Sequence, residues 1–368
     1  MPSNTAAWLT KSPALEVKSA PYTSPRENEV VIKNGAVAIN PVDWVIRDTP
    51  GMAFPWIKPP FILGIDVAGE IVELGPGVTH LNVGDRVIGH GAGTDKSRNS
   101  AALGAFQLYT VLLARVVTPI PSTLSYESAA VLPLGVSTAA CGLFQKDQLG
   151  LKLPSPSTPP KSTGKTVIIW GGSTSVGSNA IQLAVAAGYE VITTASPKNF
   201  DYVKKLGASE AFDYNSKTVV SDIIRALNGK FVVGALTMGS GAADACFDIL
   251  SKCKGDKFIS MASYPVPQPP PERFATLIIV YCYLTGLGSI WFKSKTRGIR
   301  YKFIFGSTLI DNEVGLAIYQ DFLPRALAEG TYIAAPDPQV VGKGLEYVQV
   351  GLDLQKKGVS AKKVVVSL

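Results

Sequence analysis

The sequence predicts an α/β protein in two parts, a small β-barrel half followed by a parallel sheet with helices wound on both faces. Three observations carry this. Thr166–Trp170 is a run of β-branched and apolar residues, as in a strand buried on both faces. It is followed by Gly171, Gly172 and Gly177, a helical apolar spacing and a second strand, which makes a βαβ unit. After that unit strand and helix patterns alternate, whereas the first 125 residues show short strands and turns with no long helical period.

In order, Val30–Ala38, Asp66–Leu74, Arg86–Ile88 and Phe106–Leu113 read as strands, punctuated by Asn34-Gly35, Gly75-Pro76-Gly77 and Gly84-Asp85. Ser125–Ala130 starts helical, Leu132–Ala139 interrupts it, and a helix resumes to about Gln148. Leu149–Lys165 is rich in Pro, Ser and Thr, as exposed loops are. The βαβ unit runs from Thr166 to Ser196, with Ala180, Ile181, Leu183, Ala184 and Ala187 at helical spacing, Gly188 as the helix stop and Tyr189–Thr194 as the second strand. Helices are expected at Phe200–Leu206, Val219–Leu227, Ala242–Lys252, Leu316–Leu327 and Gly344–Leu354. Strands are expected at Glu210–Tyr214, Phe231–Leu236 and Lys257–Met261, a proline-dense loop at Pro265–Pro271, and a return of Val364–Leu368 to the barrel. No internal repeat is present.

The 368-residue length suits two domains. Hydrophobic content of 46% and charged content of 17% describe a globular chain with an ample core. Lys and Arg are scattered, so the formal charge of +7 describes a solvated surface favouring anionic cofactors and not a nucleic-acid interface. Cys141, Cys246, Cys253 and Cys282 have no metal-site spacing and read as thiols of a reducing compartment, with a cytoplasmic location expected. The first residues lack an apolar signal core. One stretch stands apart: Phe274–Phe292 is 19 residues without a charge, long enough to span a bilayer. Because Thr285, Gly286, Gly288 and Ser289 break it, we expect a buried strand and connection, or a subunit interface.

The glycine turn has a chemistry. Glycines let the backbone approach a pyrophosphate, and the helix that follows offers amide donors and a positive dipole end. GGSTSVG is not a literal G-x-G-x-x-G, but it sits between strand and helix as the mechanism requires. NAD-binding folds usually carry Asp or Glu at the end of the second strand, for the ribose hydroxyls. Here that place reads Thr193-Thr194-Ala195-Ser196-Pro197-Lys198-Asn199, with hydroxyls, a lysine and an amide that suit a 2′-phosphate. The cofactor is read as NADPH.

Asn40-Pro41-Val42-Asp43, Gly64-Ile65-Asp66-Val67-Ala68-Gly69-Glu70, Val83-Gly84-Asp85-Arg86-Val87, Gly104-Ala105-Phe106, Leu132-Pro133 with Gly135 and Thr138, GGSTSVG and Leu206-Gly207-Ala208 occur in an order that resembles the medium-chain dehydrogenase/reductase superfamily. The loop LGLKLPSPS and the string ASPKNFDYVKKLGASEAFDY resemble, more narrowly, its fungal zinc-independent enoyl reductase-like and quinone oxidoreductase-like members, some of which act in trans on polyketide synthases. The resemblance implies a GroES-like domain at 1–139 completed by 311–368, and a Rossmann domain at 140–310. Zinc-dependent members carry a catalytic His-Glu pair where this chain has Ile65 and Asp66. No four-cysteine lobe lies between Asp85 and Gly104, so no metal site is expected. His80 and His90 are the only histidines, and His90 is expected to be structural.

By the same resemblance Ser173, Thr174, Ser175 and Val176 form the pyrophosphate turn. Ser196, Pro197, Lys198 and Asn199 form the 2′-phosphate loop, over which Tyr214 closes; a strand-end core position is the alternative for Tyr214. Val42, Asp43, Trp44 and Val45 meet the nicotinamide, although Asp43 fits helix capping equally. Met261 and Ala262 offer backbone to the carboxamide, and Lys363 and Val364 belong to the C-terminal pocket segment. Leu132, Pro133, Leu134, Gly135, Val136, Ser137, Thr138 and Ala139 form the substrate floor, or else a packed helix junction. Asp43, Trp44 and Thr138 are the catalytic candidates. The sequence departs from its relatives in three ways: no Tyr or Lys follows Asn-Pro-x-Asp as a proton donor, Phe231–Leu236 lacks a terminal Asp, and Phe274–Phe292 is unusually apolar.

Without a metal, hydride transfer needs an electron sink, and a conjugated double bond provides one. The expected activity is NADPH-dependent reduction of an activated C=C bond in a small-molecule or carrier-bound substrate. The alternatives are a quinone reductase and a non-catalytic NADPH-binding sensor. A monomer or homodimer is expected, with membrane association disfavoured.

Overall fold

A computed structural model describes every residue except Met1, Pro13, Pro50, Met52, Ala53, 156–159, 268–270 and Glu272, and the side chains of Ala275 and Thr276. Part of the Pro265–Pro271 loop and part of the Leu149–Lys165 loop thus lie outside the described residues. Two compact units form, one from 1–137 with 310–368 and one from 138–309.

The first unit opens with β1 (Asn4–Leu9) and β2 (Glu16–Ala20), then β3 (Glu29–Ala38), α1 (Pro41–Asp48), β4 (Phe61–Ile62), β5 (Asp66–Leu74), β6 (Arg86–His90), β7 (Tyr109–Leu113) and β8 (Val117–Pro119). Two helices follow, α2 (Tyr126–Ala129) and α3 (Pro133–Phe144). The chain continues through β9 (Lys165–Trp170), α4 (Ser175–Ala186), β10 (Glu190–Ala195), α5 (Phe200–Lys205), β11 (Glu210–Asp213), α6 (Val219–Ala226), β12 (Phe231–Thr237), α7 (Ala242–Lys252), β13 (Lys254–Gly255), β14 (Phe258–Met261), α8 (Ala275–Arg297) and β15 (Arg300–Phe303). Back in the first unit it adds α9 (Glu313–Leu316), α10 (Leu323–Ala328), β16 (Pro338–Lys343), α11 (Tyr347–Lys357) and β17 (Lys363–Ser367).

β3, the longest strand, organises the first unit. It pairs antiparallel with β5, β7 and β17, and the sheet continues through β6 to β8. The returning C-terminus is therefore a sheet strand. Val30, Ile32, Val67, Ile71, Phe106, Leu112, Val364 and Val366 fill the core between the strands and α11.

In the second unit the strands run β11-β10-β9-β12-β14-β15, with neighbours parallel. This order reverses direction at β9, as in dinucleotide-binding sheets. β9 is buried apart from Lys165, which explains its unbroken apolar run.

Three expectations need correction. Leu132–Ala139 does not interrupt a helix, because α3 begins at Pro133. Proline is tolerated in the first turn, where its missing amide would have had no intrahelical acceptor. The expected helix at Leu316–Leu327 contains a wider turn, a π-helical segment at Ala317–Phe322 between α9 and α10. Phe274–Phe292 is not a buried strand. It lies mostly in α8, far longer than a strand, and its exposed apolar residues left nothing in composition to mark its face as outward. Its glycines do not break it. Gly286 packs so closely that a Cβ would meet Pro265 at 2.5 Å, and Lys293 and Arg297 tie the helix to Asp244 and Asp248 of α7.

Candidate active site

The second unit supplies a phosphate cradle at the switch point of its sheet. Gly171 leaves β9 with φ +90°, a left-handed conformation that favours glycine. Thr174 caps α4: its Oγ1 accepts the Gly177 amide at 3.0 Å and donates to Gly171 O at 2.8 Å. A Cβ on Gly177 would meet Gly171 O at 2.2 Å, so strand, turn and helix can approach this closely only with glycine there. The amides of Ser175 and Val176, the first two residues of α4, have no intrahelical acceptor, and the hydroxyl of Ser175 is buried without a partner. Donors and a helix dipole thus converge where a pyrophosphate fits. Ser173 is half-buried beside them.

Parallel pairing of β10 and β11 sets Ala195 beside Asp213, so the residues that follow, Ser196 and Tyr214, are neighbours. Their hydroxyls lie 3.1 Å apart. Pro197, Lys198 and Asn199 form a single turn of 3-10 helix after Ser196; Lys198 is exposed, and the Asn199 amide donates to Ser196 O. Tyr214 is 45% exposed, so it is not a strand-end core residue. Asp213, the last residue of β11, accepts the Asn215 amide. Met261 ends β14 fully buried, and the Ala262 amide donates to Thr237 O.

The first unit holds a buried polar cluster. α1 opens with a capping contact in which the Asn40 amide donates to Asp43 Oδ2 at 2.8 Å. Asp43 is fully buried; burial pushes its pKa up to about 7, opposed by the Asn40 amide and reinforced by the charge of Asp66. The Asn40 side chain donates to Asp66 Oδ2 at 2.9 Å and accepts from the Lys363 ammonium at 2.5 Å. Lys363 closes the cluster with a 2.7 Å ion pair to Asp66 Oδ2, while the Leu134 amide donates to Asp66 Oδ1 at 2.6 Å. Asp66 therefore receives three donors. Val364, next in β17, is buried and its carbonyl accepts the Ile39 amide.

Asp66 and His90 face each other across β5 and β6. The His90 ring bonds Ser137 Oγ through Nδ1 at 2.9 Å, and Ser137 Oγ bonds the Tyr319 hydroxyl at 2.7 Å. That hydroxyl also donates to Pro133 O at 2.9 Å. Burial pushes the His90 pKa down to about 4, with Asp66 opposing the shift. His90 is thus held neutral. It is only half satisfied, since Nε2 is buried without a partner among the described residues.

The remaining candidates divide clearly. Val42, Trp44 and Val45 lie half-buried on α1, and the Trp44 indole donates to Gln355 of α11 at 2.5 Å. Leu132, just before α3, and Pro133, Gly135, Val136, Ser137 and Ala139 on it are buried. Leu134 and Thr138, four residues apart on one helix face, alone keep partial exposure in that segment. Asn40, Asp66 and Tyr319 were not singled out as site residues by the sequence. The one available signal was the acid in Gly64-Ile65-Asp66.

This donor set does not fit a zinc ion. Asp66 is already engaged by Lys363, Asn40 and the Leu134 amide, Ile65 is apolar, and the described residues contain no group of three His, Cys, Asp or Glu able to hold a metal.

Two family models match the chain, an alcohol dehydrogenase GroES-like domain at residues 26–122 and a zinc-binding dehydrogenase at 175–297. The dehydrogenase pigH of Monascus ruber is 56% identical over the full length of both chains. The trans-enoyl reductase himH of Aspergillus japonicus is 41% identical over 99% of this chain and 97% of its own. The chain belongs to the medium-chain dehydrogenase/reductase superfamily. Among solved structures, the CurK enoyl reductase superposes with a TM-score of 0.70 at 20% identity, covering 99% of each chain. The quinone oxidoreductase of Coxiella burnetii does so with a TM-score of 0.66 at 23% identity over 99% of each. This dehydrogenase/reductase is an oxidoreductase with a nicotinamide cofactor, and its two units are the GroES-like and Rossmann-type domains of the superfamily.

Proposed function

We propose that this dehydrogenase/reductase is a zinc-independent, NADPH-dependent reductase of an activated C=C bond in an enoyl or enone substrate, including one bound to a polyketide carrier. The observation that carries the reading is the Asp66–Lys363 pair. Where zinc-dependent members use a metal-site acid, this carboxylate is neutralised by a lysine of its own chain.

The cradle at Gly171–Gly177 suits a pyrophosphate, and Ser196, Lys198 and Tyr214 suit a 2′-phosphate through charge-assisted hydrogen bonds. NADPH, when bound, supplies a hydride. The chain's own residues then have to position the acceptor, exclude water and stabilise charge on the carbonyl oxygen as an enolate forms. Thr138, half-buried on α3, is the side chain we assign to that oxygen. Protonation of the α-carbon completes the reduction. Asp43 and His90 are fully buried and reach such a substrate only through neighbours, so they are not direct donors. The trans-enoyl reductase name of himH supports the substrate class.

The test is NADPH consumption with a panel of enones, an enoyl thioester and a quinone. Turnover of the enoyl and enone members supports the proposal. Turnover of the quinone alone, or tight NADPH binding without oxidation of any member, would refute it.

A further inference from the structure

The outward side of α8 is predominantly apolar and bare. Leu277 is 70% exposed, Tyr281 68%, Leu284 62%, Trp291 58% and Phe292 61%. The inward side packs on its own domain: Ile290 is buried, a Cβ on Gly286 would meet Pro265, and Lys293 and Arg297 reach Asp244 and Asp248 of α7. A helix apolar around its circumference needs apolar cover on every side. The chain covers α8 on one side only. The expectation against membrane association rests on burial of Phe274–Phe292, and that premise does not hold.

Charge identifies the missing cover. From Arg273 to Ile310 the sequence has six bases, Arg273, Lys293, Lys295, Arg297, Arg300 and Lys302, and no acid. Lys302 pairs with Asp147, as Lys293 and Arg297 pair with α7. Arg273, Lys295 and Arg300 are exposed and form no ion pair among the described residues, which do not include Glu272. Arg273 precedes the helix, and Lys295 follows Trp291 by one turn on the same side, so an exposed cation stands at each end of the apolar stripe. We propose that this face binds the surface of an anionic lipid bilayer, with α8 parallel to the membrane plane. Leu277 and Leu284 enter the acyl boundary, while Arg273 and Lys295 meet the headgroup phosphates. Tyr281 and Trp291, each an apolar ring with a polar tip, suit the level between them.

The attachment is peripheral. Spanning the bilayer would pull α8 off α7, break both ion pairs and uncover Ile290. Lying flat, a helix about 34 Å long keeps all three. A protein partner suits this face less well. Protein interfaces carry about one hydrogen bond per 100–200 Å², and the stripe has few side-chain donors or acceptors to give. The hydroxyls of Thr285 and Thr296 already donate to the carbonyls of Tyr281 and Phe292 within the helix. Lipid chains require no such partners. Because the cations act through a screened field, with a reach of ~8 Å at physiological salt, added salt weakens the attachment.

Flotation of the full-length protein with vesicles tests this. The protein should float with vesicles of mixed phosphatidylcholine and phosphatidylserine, and much less with phosphatidylcholine alone. Replacing Arg273 and Lys295 together with Glu should weaken binding to the mixed vesicles by roughly tenfold or more. Leu284→Asp should weaken it at least as much, with NADPH binding and far-UV circular dichroism unchanged. Trp291 is one of five tryptophans, and brominated lipid should quench the native fluorescence but not that of Trp291→Phe. A native protein that stays unbound, equal flotation with phosphatidylcholine alone, variants that float as the native protein does, or quenching retained in Trp291→Phe would each overturn the proposal. So would retention on an acidic polypeptide support without flotation, or a native dimer that Leu284→Asp dissociates, because either gives the face to a protein.

Discussion

The Lys363 ammonium lies 2.7 Å from Asp66 Oδ2, with the two side chains 5% and 0% exposed. A pair this deep is held by geometry and by its further bonds, because desolvation offsets most of the Coulombic gain. Lys363→Met should therefore destabilise the protein by about 3–5 kcal/mol, since it strands the Asp66 charge. Adding Asp66→Asn should recover much of that loss. Urea denaturation of the two single variants and the double variant measures the coupling, and additive losses would show that the pair is not a unit.

Asp43 and His90 predict opposing pH dependences. Asp43 titrates near 4 when unfolded and at about 7 when folded. Its protonated form is favoured in the native state, so its contribution is full below pH 4 and is lost as pH rises to about 7. His90 titrates near 6.5 when unfolded and at about 4 when folded. Its contribution is full above pH 6.5 and is lost as pH falls to about 4. The two slopes offset each other in the native protein between those limits. Asp43→Asn should make stability rise with pH across that window, and His90→Gln should make it fall. Melting temperatures across the range report the slopes, and parallel curves for the two variants would contradict the assignment.

The loop after β10 predicts cofactor choice. Substituting Ser196 and Lys198 together with Ala should weaken NADPH binding by about 1–3 kcal/mol and leave NADH binding nearly unchanged. Titration calorimetry separates the cases; equal weakening of both cofactors would move the 2′-phosphate site elsewhere.

Gly177 predicts the cost of closing the cradle. An alanine Cβ at 2.2 Å from Gly171 O forces strand and helix apart. Gly177→Ala should destabilise the protein by about 1–3 kcal/mol and lower affinity for both cofactors. Unaltered NADPH binding would mean that the turn does not hold the pyrophosphate.

What could be read in the sequence follows from where the physics is local. The βαβ unit was legible because β9, the glycine turn and α4 are contiguous, and the 3.6-residue and strand patterns change at Gly171. The neighbouring hydroxyls of Ser196 and Tyr214 were partly legible, because each directly follows a strand and parallel register brings strand ends together. The Asn40–Asp66–Lys363 cluster was not, because Lys363 comes from the far end of the chain and joins Asn40 and Asp66 only when β17 pairs with β3. Tyr319 gave no signal either, since a tyrosine in an apolar helix reads as core until Ser137 is seen beside its hydroxyl. The α8 segment misled for the converse reason. Apolar composition reports what water disfavours, and an unbroken apolar run carries no period to set a helix against a strand.

The most direct test of the central claim is turnover by metal-depleted protein. After exhaustive chelation and dialysis, the protein is assayed for NADPH oxidation with the best enone while the metal content of the same sample is measured. The account predicts undiminished turnover with far less than one zinc per chain. Activity lost on chelation and restored by stoichiometric zinc would contradict it.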